Sequence, residues 1–76
     1  MTVVEIPSER VGLIIGPKGS TIKRLMSDSG ARIDLDDGDT PQGTRLVRLT
    51  GTPISRQRCA EEIQKIVWKA VIVSVE

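Results

Sequence analysis

A four-residue turn limits how this chain can fold. Gly16-Pro17-Lys18-Gly19 separates two aliphatic segments, and Pro excludes α-helical geometry from the residue before it. Residues 10–15 before the turn have room for one to two helical turns. After the turn, Ser20 is a suitable first helical cap and Gly30 a suitable stop. The apolar residues between them recur at helical spacing: Ile22, Leu25 and Met26. The sequence therefore predicts two helices joined by a tight turn.

Three other segments have the character of β-strands. Residues 3–6 are mostly β-branched, residues 31–36 alternate apolar and polar side chains, and residues 45–49 alternate less regularly. A polar loop, residues 37–43, separates the last two. These segments and the two helices predict the order β-α-α-β-β.

A third helix is predicted after Thr52, a capping residue followed by Pro53 at the first helical position. Its apolar side is formed by Cys59, Ile63, Ile66, Val67 and Ala70. The β-branched run at 71–75 either extends this helix or forms a strand. We expect one domain over residues 1–76, with a core at about 3–70 and a tail at 71–76.

Composition excludes several classes of function. The chain of 76 residues has no Phe or Tyr and one Trp, so it cannot build the aromatic platform on which many nucleic-acid-binding modules stack bases. It has no His and one Cys, which removes the usual zinc ligand sets and His-based catalytic triads. We expect no catalytic residues, no metal and no cofactor, and Cys59 should be a buried hydrophobe.

The same composition bears on location. No apolar run is long enough for a transmembrane helix, and the N-terminus lacks the pattern of a secretory signal. A lone cysteine suits a reducing compartment. We expect no membrane partner and a cytoplasmic or nuclear location.

The residues around the turn resemble a known family. The run from Ile14 to Ile22, IIGPKGSTI, fits the I-I-G-x-x-G-x-x-I signature of K-homology (KH) domains, and Gly30-Ala31-Arg32-Ile33 is also similar to that family. The resemblance implies the type I α+β fold, β-α-α-β-β-α, with a three-stranded antiparallel sheet packed on three helices. It also implies binding of single-stranded nucleic acid without catalysis. RNA is favoured over single-stranded DNA because the family mostly serves RNA metabolism.

The turn itself is suited to a nucleic-acid backbone. Glycines carry no Cβ, so the chain can pass close to phosphates, and the N–H groups that begin the next helix favour an anion. In KH domains such a loop clamps about four nucleotides. The predicted backbone-binding residues are Gly16, Pro17, Lys18, Gly19, Ser20 and Lys23. Pro17 removes one N–H and replaces the basic residue more common there in the family.

KH domains hold bases in an aliphatic groove beside the loop. By resemblance, this groove would be built from Val11, Gly12, Ile15, Ile22, Met26, Ile33 and Leu35. The backbone of residues 33–35, which includes Asp34, and the side chains of Arg32 and Arg45 would supply polar contacts to bases or phosphates. The alternative is that Arg32 and Arg45 are ordinary solvated strand residues.

Charge is unevenly distributed although the net charge is only +1. Basic residues cluster near the turn and second helix: Arg10, Lys18, Lys23 and Arg24. Acidic residues cluster at the second strand and the loop after it: Asp34, Asp36, Asp37 and Asp39. The first cluster suits a phosphate backbone and the second would repel one.

Two other ligand motifs fail. A nucleotide-binding P-loop needs a different glycine spacing, and Gly19 separates Lys18 from Ser20. The EF-hand pattern fails because Gly38 stands where an acidic ligand is needed.

A second function remains open. The fold could serve as a protein-interaction module in which nucleic-acid binding is weak or lost. Pro17, Met26 and the aspartates favour this alternative. Some KH domains form homodimers through the first strand and last helix, and others act beside neighbouring KH modules. Trp68 either covers an edge of the core, which we expect, or lies partly exposed at an interaction surface.

Overall fold

A computed structural model describes residues 1–75; Glu76, the last residue of the predicted tail, lies outside the described part. The elements are β1 (Thr2–Pro7), α1 (Val11–Ile15), α2 (Ser20–Ser29), β2 (Arg32–Leu35), β3 (Thr44–Thr50), α3 (Pro53–Ile66) and β4 (Val71–Val75). Short 3-10 turns, Ser8–Arg10 and Pro17–Gly19, precede α1 and α2. The α+β class and the first six elements match the predicted order.

The sheet has the strand order β2-β3-β1-β4, and every neighbouring pair is antiparallel. It therefore has one strand more than the sequence analysis predicted. The β-branched run at residues 71–75 leaves the helix and pairs with β1, placing Val71 opposite Glu5 and Val75 opposite Thr2. This resolves the two alternatives for the tail in favour of a strand.

The core lies between one face of the sheet and the three helices. Alternate residues of β1 and β3 face inward, and Val4 is directly opposite Val47. The fully buried side chains include Val4, Ile6, Ile14, Leu25, Val47, Leu49, Cys59, Ala60, Ile63 and Val67. Since nearly all are aliphatic, this small domain depends on close packing of branched side chains.

Helix ends follow the local chemistry. The Thr52 side chain accepts a hydrogen bond from the N–H of Ser55 at 3.1 Å, and Pro53 follows at the first helical position. Gly30, with φ of 77°, ends α2 as its N–H donates to the carbonyl oxygen of Met26. The cap at Thr52 and the stop at Gly30 are therefore confirmed.

The third helix ends earlier than its apolar pattern suggested. Residues 67–70 form a turn in which the N–H of Ala70 donates to the carbonyl oxygen of Val67 at 2.9 Å. Val67 and Ala70 are still buried, but Trp68 is 74% exposed. The expectation that Trp68 covers the core was wrong, because the turn points it to solvent. Its ring has the Lys69 ammonium 4.9 Å from the centroid.

Candidate nucleic-acid interface

The turn between α1 and α2 depends on Gly16. Its φ is 73°, a conformation that residues with a Cβ rarely adopt. A Cβ there would lie 2.2 Å from Oγ1 of Thr21, so both the backbone angle and the available space require glycine. Lys18 and Gly19 also have positive φ, of 53° and 77°. The loop therefore turns tightly, and its backbone is uncovered at Gly16 and Gly19, which have no side chains.

The loop closes on itself and leads directly into α2. The N–H of Gly19 donates to the carbonyl oxygen of Gly16 at 3.2 Å. Within residues 1–75, no side chain caps the N-terminus of α2. N–H groups in the first turn of an α-helix lack partners within the helix and attract anions. The Ser20 N–H itself donates to the carbonyl oxygen of Pro17, and the first turn of α2 that follows it is where a phosphate would be favoured.

Basic side chains next to the loop are open to solvent. Lys18 at its tip and Lys23 on α2 are both exposed, as are Arg10 and Arg24. The predicted backbone-binding residues therefore follow one another from the loop into α2 and are exposed, except for the half-buried Gly16 and Gly19. Whether they contact a ligand stays a prediction.

The residues predicted for the aliphatic groove differ in their exposure. Four of its residues are half-buried and pack against the core: Ile15, Ile22, Met26 and Leu35. Val11 and Ile33 are buried and belong to the core against which these residues pack. Gly12 is exposed, and a Cβ at this position would meet no atom within 4 Å. The surface of α1 at Gly12 therefore offers open space next to an apolar floor.

The structure does not bring the Arg32 and Asp34 side chains into this groove. Because side chains alternate along a strand, they lie on the opposite face of β2 from buried Ile33. The nearest approach of their charged atoms is 3.6 Å, at largely exposed positions. The contacts predicted for the backbone of β2 stay a prediction.

Arg45 lies on the helix side of β3 but is held by an aspartate. Its Nε–H and Nη2–H donate to Oδ1 of Asp39 at 3.0 and 2.8 Å. These hydrogen bonds lower the pKa of the Asp39 carboxyl below its ordinary value. A second pair joins Arg48 to Asp36. Three aspartates of the acidic cluster are thus paired with arginines, an arrangement that the sequence analysis missed.

The pairing had a partial signal in the sequence. In a hairpin, charged residues of opposite sign on facing strands tend to meet. Asp34 is directly opposite Arg48 in the register, yet Arg48 pairs with Asp36. At the start of the loop between β2 and β3, the N–H of Asp36 donates to the carbonyl oxygen of Leu46 at 3.0 Å. The second half of the loop turns back where the N–H of Thr40 donates to the carbonyl oxygen of Thr44 at 2.7 Å.

Three further features of the described residues bear on function: the reactivity of the Cys59 thiol, the capacity to bind a metal ion and the capacity to span a membrane. Burial raises the pKa of the Cys59 thiol, which disfavours the reactive thiolate. Among residues 1–75, no group of three or more His, Cys, Asp or Glu side chains is arranged to hold a metal ion. In the same part of the chain, no helix has the length and apolar character needed to cross a membrane.

Comparison with known proteins decides the family. A family model described as KH domain matches residues 1–65. The chain belongs to the KH domain family. Members of this family bind nucleic acid through a GxxG loop of the kind formed here by residues 16–19.

Individual relatives are much longer than this chain. Far upstream element-binding protein 1 of Homo sapiens is 44% identical over 62 residues, which is 79% of this chain and 9% of the human protein. Polyribonucleotide nucleotidyltransferase of Salinispora arenicola is 38% identical over 66 residues, 87% of this chain and 8% of the bacterial protein. The first relative is named as a binding protein and the second as an enzyme, and the match covers less than a tenth of either protein.

Proposed function

We propose that this KH domain binds about four nucleotides of single-stranded nucleic acid, with RNA preferred over DNA. The observation that carries the proposal is the site at Gly16. The positive φ of Gly16 and the nearness of Thr21 exclude a Cβ at this position, so no side chain covers the backbone at the start of the loop. Such a backbone allows a phosphate chain to approach closely.

The phosphates lie along the loop and the start of α2. Gly16, Pro17, Gly19 and Ser20 supply close backbone contact, while Lys18 and Lys23 supply positive charge. The uncapped α2 N-terminus supports this position, since it favours anions.

The bases lie across the half-buried aliphatic residues. Ile15, Ile22, Met26 and Leu35 offer a flat apolar floor, and open space at Gly12 leaves room for a ring. The edge of β2 between Ile33 and Leu35 offers backbone donors and acceptors. Nε and Nη2 of Arg45 donate to Asp39, which leaves the N–H groups of Nη1 to donate to a base or a phosphate.

A binding role, rather than a catalytic one, is part of this proposal. The chain has no histidine, and its single cysteine is buried. We further propose that the domain acts in the cytoplasm or nucleus and in series with neighbouring KH modules, because linkage multiplies weak affinities. Imaging of a fluorescent fusion tests the location.

The test is an NMR titration of the isotope-labelled chain with short randomised RNA and DNA oligomers. Amide shifts should gather at residues 12–22 and 33–35, with larger effects for RNA. The variant Pro17→Asp/Lys18→Asp should remain folded, because Asp tolerates the left-handed conformation at position 18, and it should lose these shifts.

A matched control carries the same change in charge at a distant surface. Ile54→Asp/Arg58→Asp alters two exposed positions on α3 and should keep the shifts. Equal loss in both variants would mean that only overall charge matters. Shifts that gather away from the loop would contradict the proposed site.

The second candidate, a protein-interaction module, rests on the solvent-exposed Trp68 and on the arginines neutralised by aspartates. No amide shift at oligomer concentrations of about 1 mM would favour it, because that corresponds to binding weaker than about 4 kcal/mol.

A further inference from the structure

An unusual surface lies on the side of the molecule formed by β4. Every residue of this strand is uncharged, and Val71, Ile72, Val73 and Val75 are between 40% and 66% exposed. Trp68 stands just before the strand. The patch formed by Trp68 and β4 exposes on the order of 500 Å² of apolar surface, within the range of functional patches on small proteins.

β4 is also the free edge of the sheet. It pairs with β1 on one side only, because the strand order ends there. Proteins ordinarily protect such edges with Lys, Pro or a bulge. β4 has no Lys or Pro, and its one irregularity is the register shift at Val73, which has no partner between the pairs Val3–Ser74 and Val4–Ile72. Apart from this bulge, the outer edge of β4 carries none of the usual protections and is open to pairing with another strand.

A homodimer through β1 itself would have to displace β4, since β4 occupies the edge of that strand. We propose instead that β4 pairs antiparallel with β4 of a second copy of this chain around a two-fold axis near Val73. This pairing would continue the sheet from one copy into the other and keep both helical layers on the same side.

Two features of the chain argue that the occupant is a second copy. In this register Val71 of one copy faces Val75 of the other, so only uncharged residues meet. The net charge of +1 adds little repulsion between copies.

The second feature is a match between a protruding ring and a groove. A groove of about 290 Å³ lies between α3 and β4, lined by Pro53, Gln57, Ala60, Ile72 and Val75, with Thr2 and Arg56 completing it. Val75, at the end of β4, is one of its lining residues. Trp68 precedes the start of β4, so antiparallel pairing places each Trp68 near the end of the partner's β4 and hence near this groove.

The area predicts a weak dimer. Two such patches, if buried completely, would remove on the order of 1,000 Å² from solvent in total, near the lower limit for a specific interface. Association should therefore appear only at protein concentrations of about 0.1–1 mM.

Sedimentation equilibrium of the whole chain tests the proposal. The unmodified chain should dimerise. Val73→Lys places two ammonium groups at the two-fold axis and should raise the dissociation constant about 100-fold, while Trp68→Ala should raise it about tenfold. Leu13→Lys is the matched control: Leu13 is 46% exposed against 48% for Val73, but it lies on α1, and its variant should dimerise normally.

A covalent test fixes the register. Val73→Cys should form a disulfide between copies under mild oxidation faster than Leu13→Cys, because residues facing each other across antiparallel strands lie within reach of a disulfide. A monomer at about 1 mM would overturn the proposal and leave the edge for an extended segment of a different protein. A dimer that survives Val73→Lys would also overturn it, since the interface would then lie elsewhere.

Discussion

Gly16 and Gly12 are close in sequence but differ in the space available for a side chain. Gly16 is enclosed by Thr21 and has a positive φ, whereas Gly12 lies in α1 and borders open space. The first glycine is needed for the backbone to turn. The second keeps one surface of α1 free of a side chain. Substitution by alanine therefore separates folding from binding.

Gly16→Ala should destabilise the chain by about 2 kcal/mol or more, because it adds a strained backbone angle and a contact with Thr21. Urea unfolding followed by circular dichroism measures the loss. Gly43→Ala is a useful comparison, since Gly43 also has a positive φ, of 76°, but a Cβ there meets no atom within 4 Å. Equal losses in both variants would show that the Thr21 contact adds nothing.

Gly12→Ala should stabilise the chain by about 0.5–1 kcal/mol, because alanine is the better helix former and its Cβ meets nothing. It should also weaken oligonucleotide binding by filling the space proposed for a base. Urea unfolding and fluorescence anisotropy with a labelled oligomer measure the two effects. If the affinity is unchanged in the more stable variant, no base lies against Gly12 of α1.

At the scale of elements, the loop between β2 and β3 is ordered by ion pairs as well as backbone hydrogen bonds. Asp39 binds Arg45 and Asp36 binds Arg48, so the acidic cluster holds the hairpin. Exposed pairs of this kind add little to stability. The main effect of the Arg45–Asp39 pair is to orient the Arg45 guanidinium, because Nε and Nη2 bind Asp39 and Nη1 is directed away from it.

The Asp39 carboxyl should titrate below its ordinary pKa because Arg45 donates hydrogen bonds to its ionised form. A lowered pKa in the folded chain means that the stability from this pair is present above the unfolded-state pKa and is lost as pH falls through the folded-state pKa. NMR titration of the side-chain carboxyl measures the midpoint.

Arg45→Gln should return the Asp39 midpoint towards its usual value. Arg48→Gln serves as the control, because Arg48 pairs with Asp36 and should leave Asp39 unchanged. If the Asp39 midpoint is already ordinary in the unmodified chain, the pair does not persist in solution.

At the scale of the whole molecule, the loop surface and the β4 edge are separate. The loop and α2 carry exposed basic residues, whereas β4 carries no charge. The aspartates bound to arginines leave the basic surface near Lys18 and Lys23 as the main region for phosphate contact. The number of phosphates bound should therefore be small.

The affinity for single-stranded RNA should fall gently with salt, with a slope of log affinity against log salt of about −1.4 to −2.1, equivalent to 2–3 phosphates. Lys23→Gln should reduce the slope by about 0.7, while Lys65→Gln, remote on α3, should leave it unchanged. Anisotropy titrations at several salt concentrations give both values. A slope several times steeper would mean that phosphates bind beyond the loop surface.

Much of the fold follows from local patterns in the sequence. The glycines around Pro17, the stop at Gly30 and the cap at Thr52 act over a few residues, so their effects were predictable without a tertiary structure. The GxxG signature likewise marks the loop surface, because its chemistry depends on backbone freedom within four residues.

Other features depend on partners far apart in the chain. Residues 71–75 suit either a helix or a strand, and the free edge of β1 decides for the strand by offering hydrogen bonds. Trp68 is exposed because the turn to that strand ends α3 at Ile66. The aspartate–arginine pairs also form only once the hairpin fixes its loop. The sequence thus determined the local elements and the family, whereas long-range pairing decided the fourth strand, the position of Arg45 and the exposed edge.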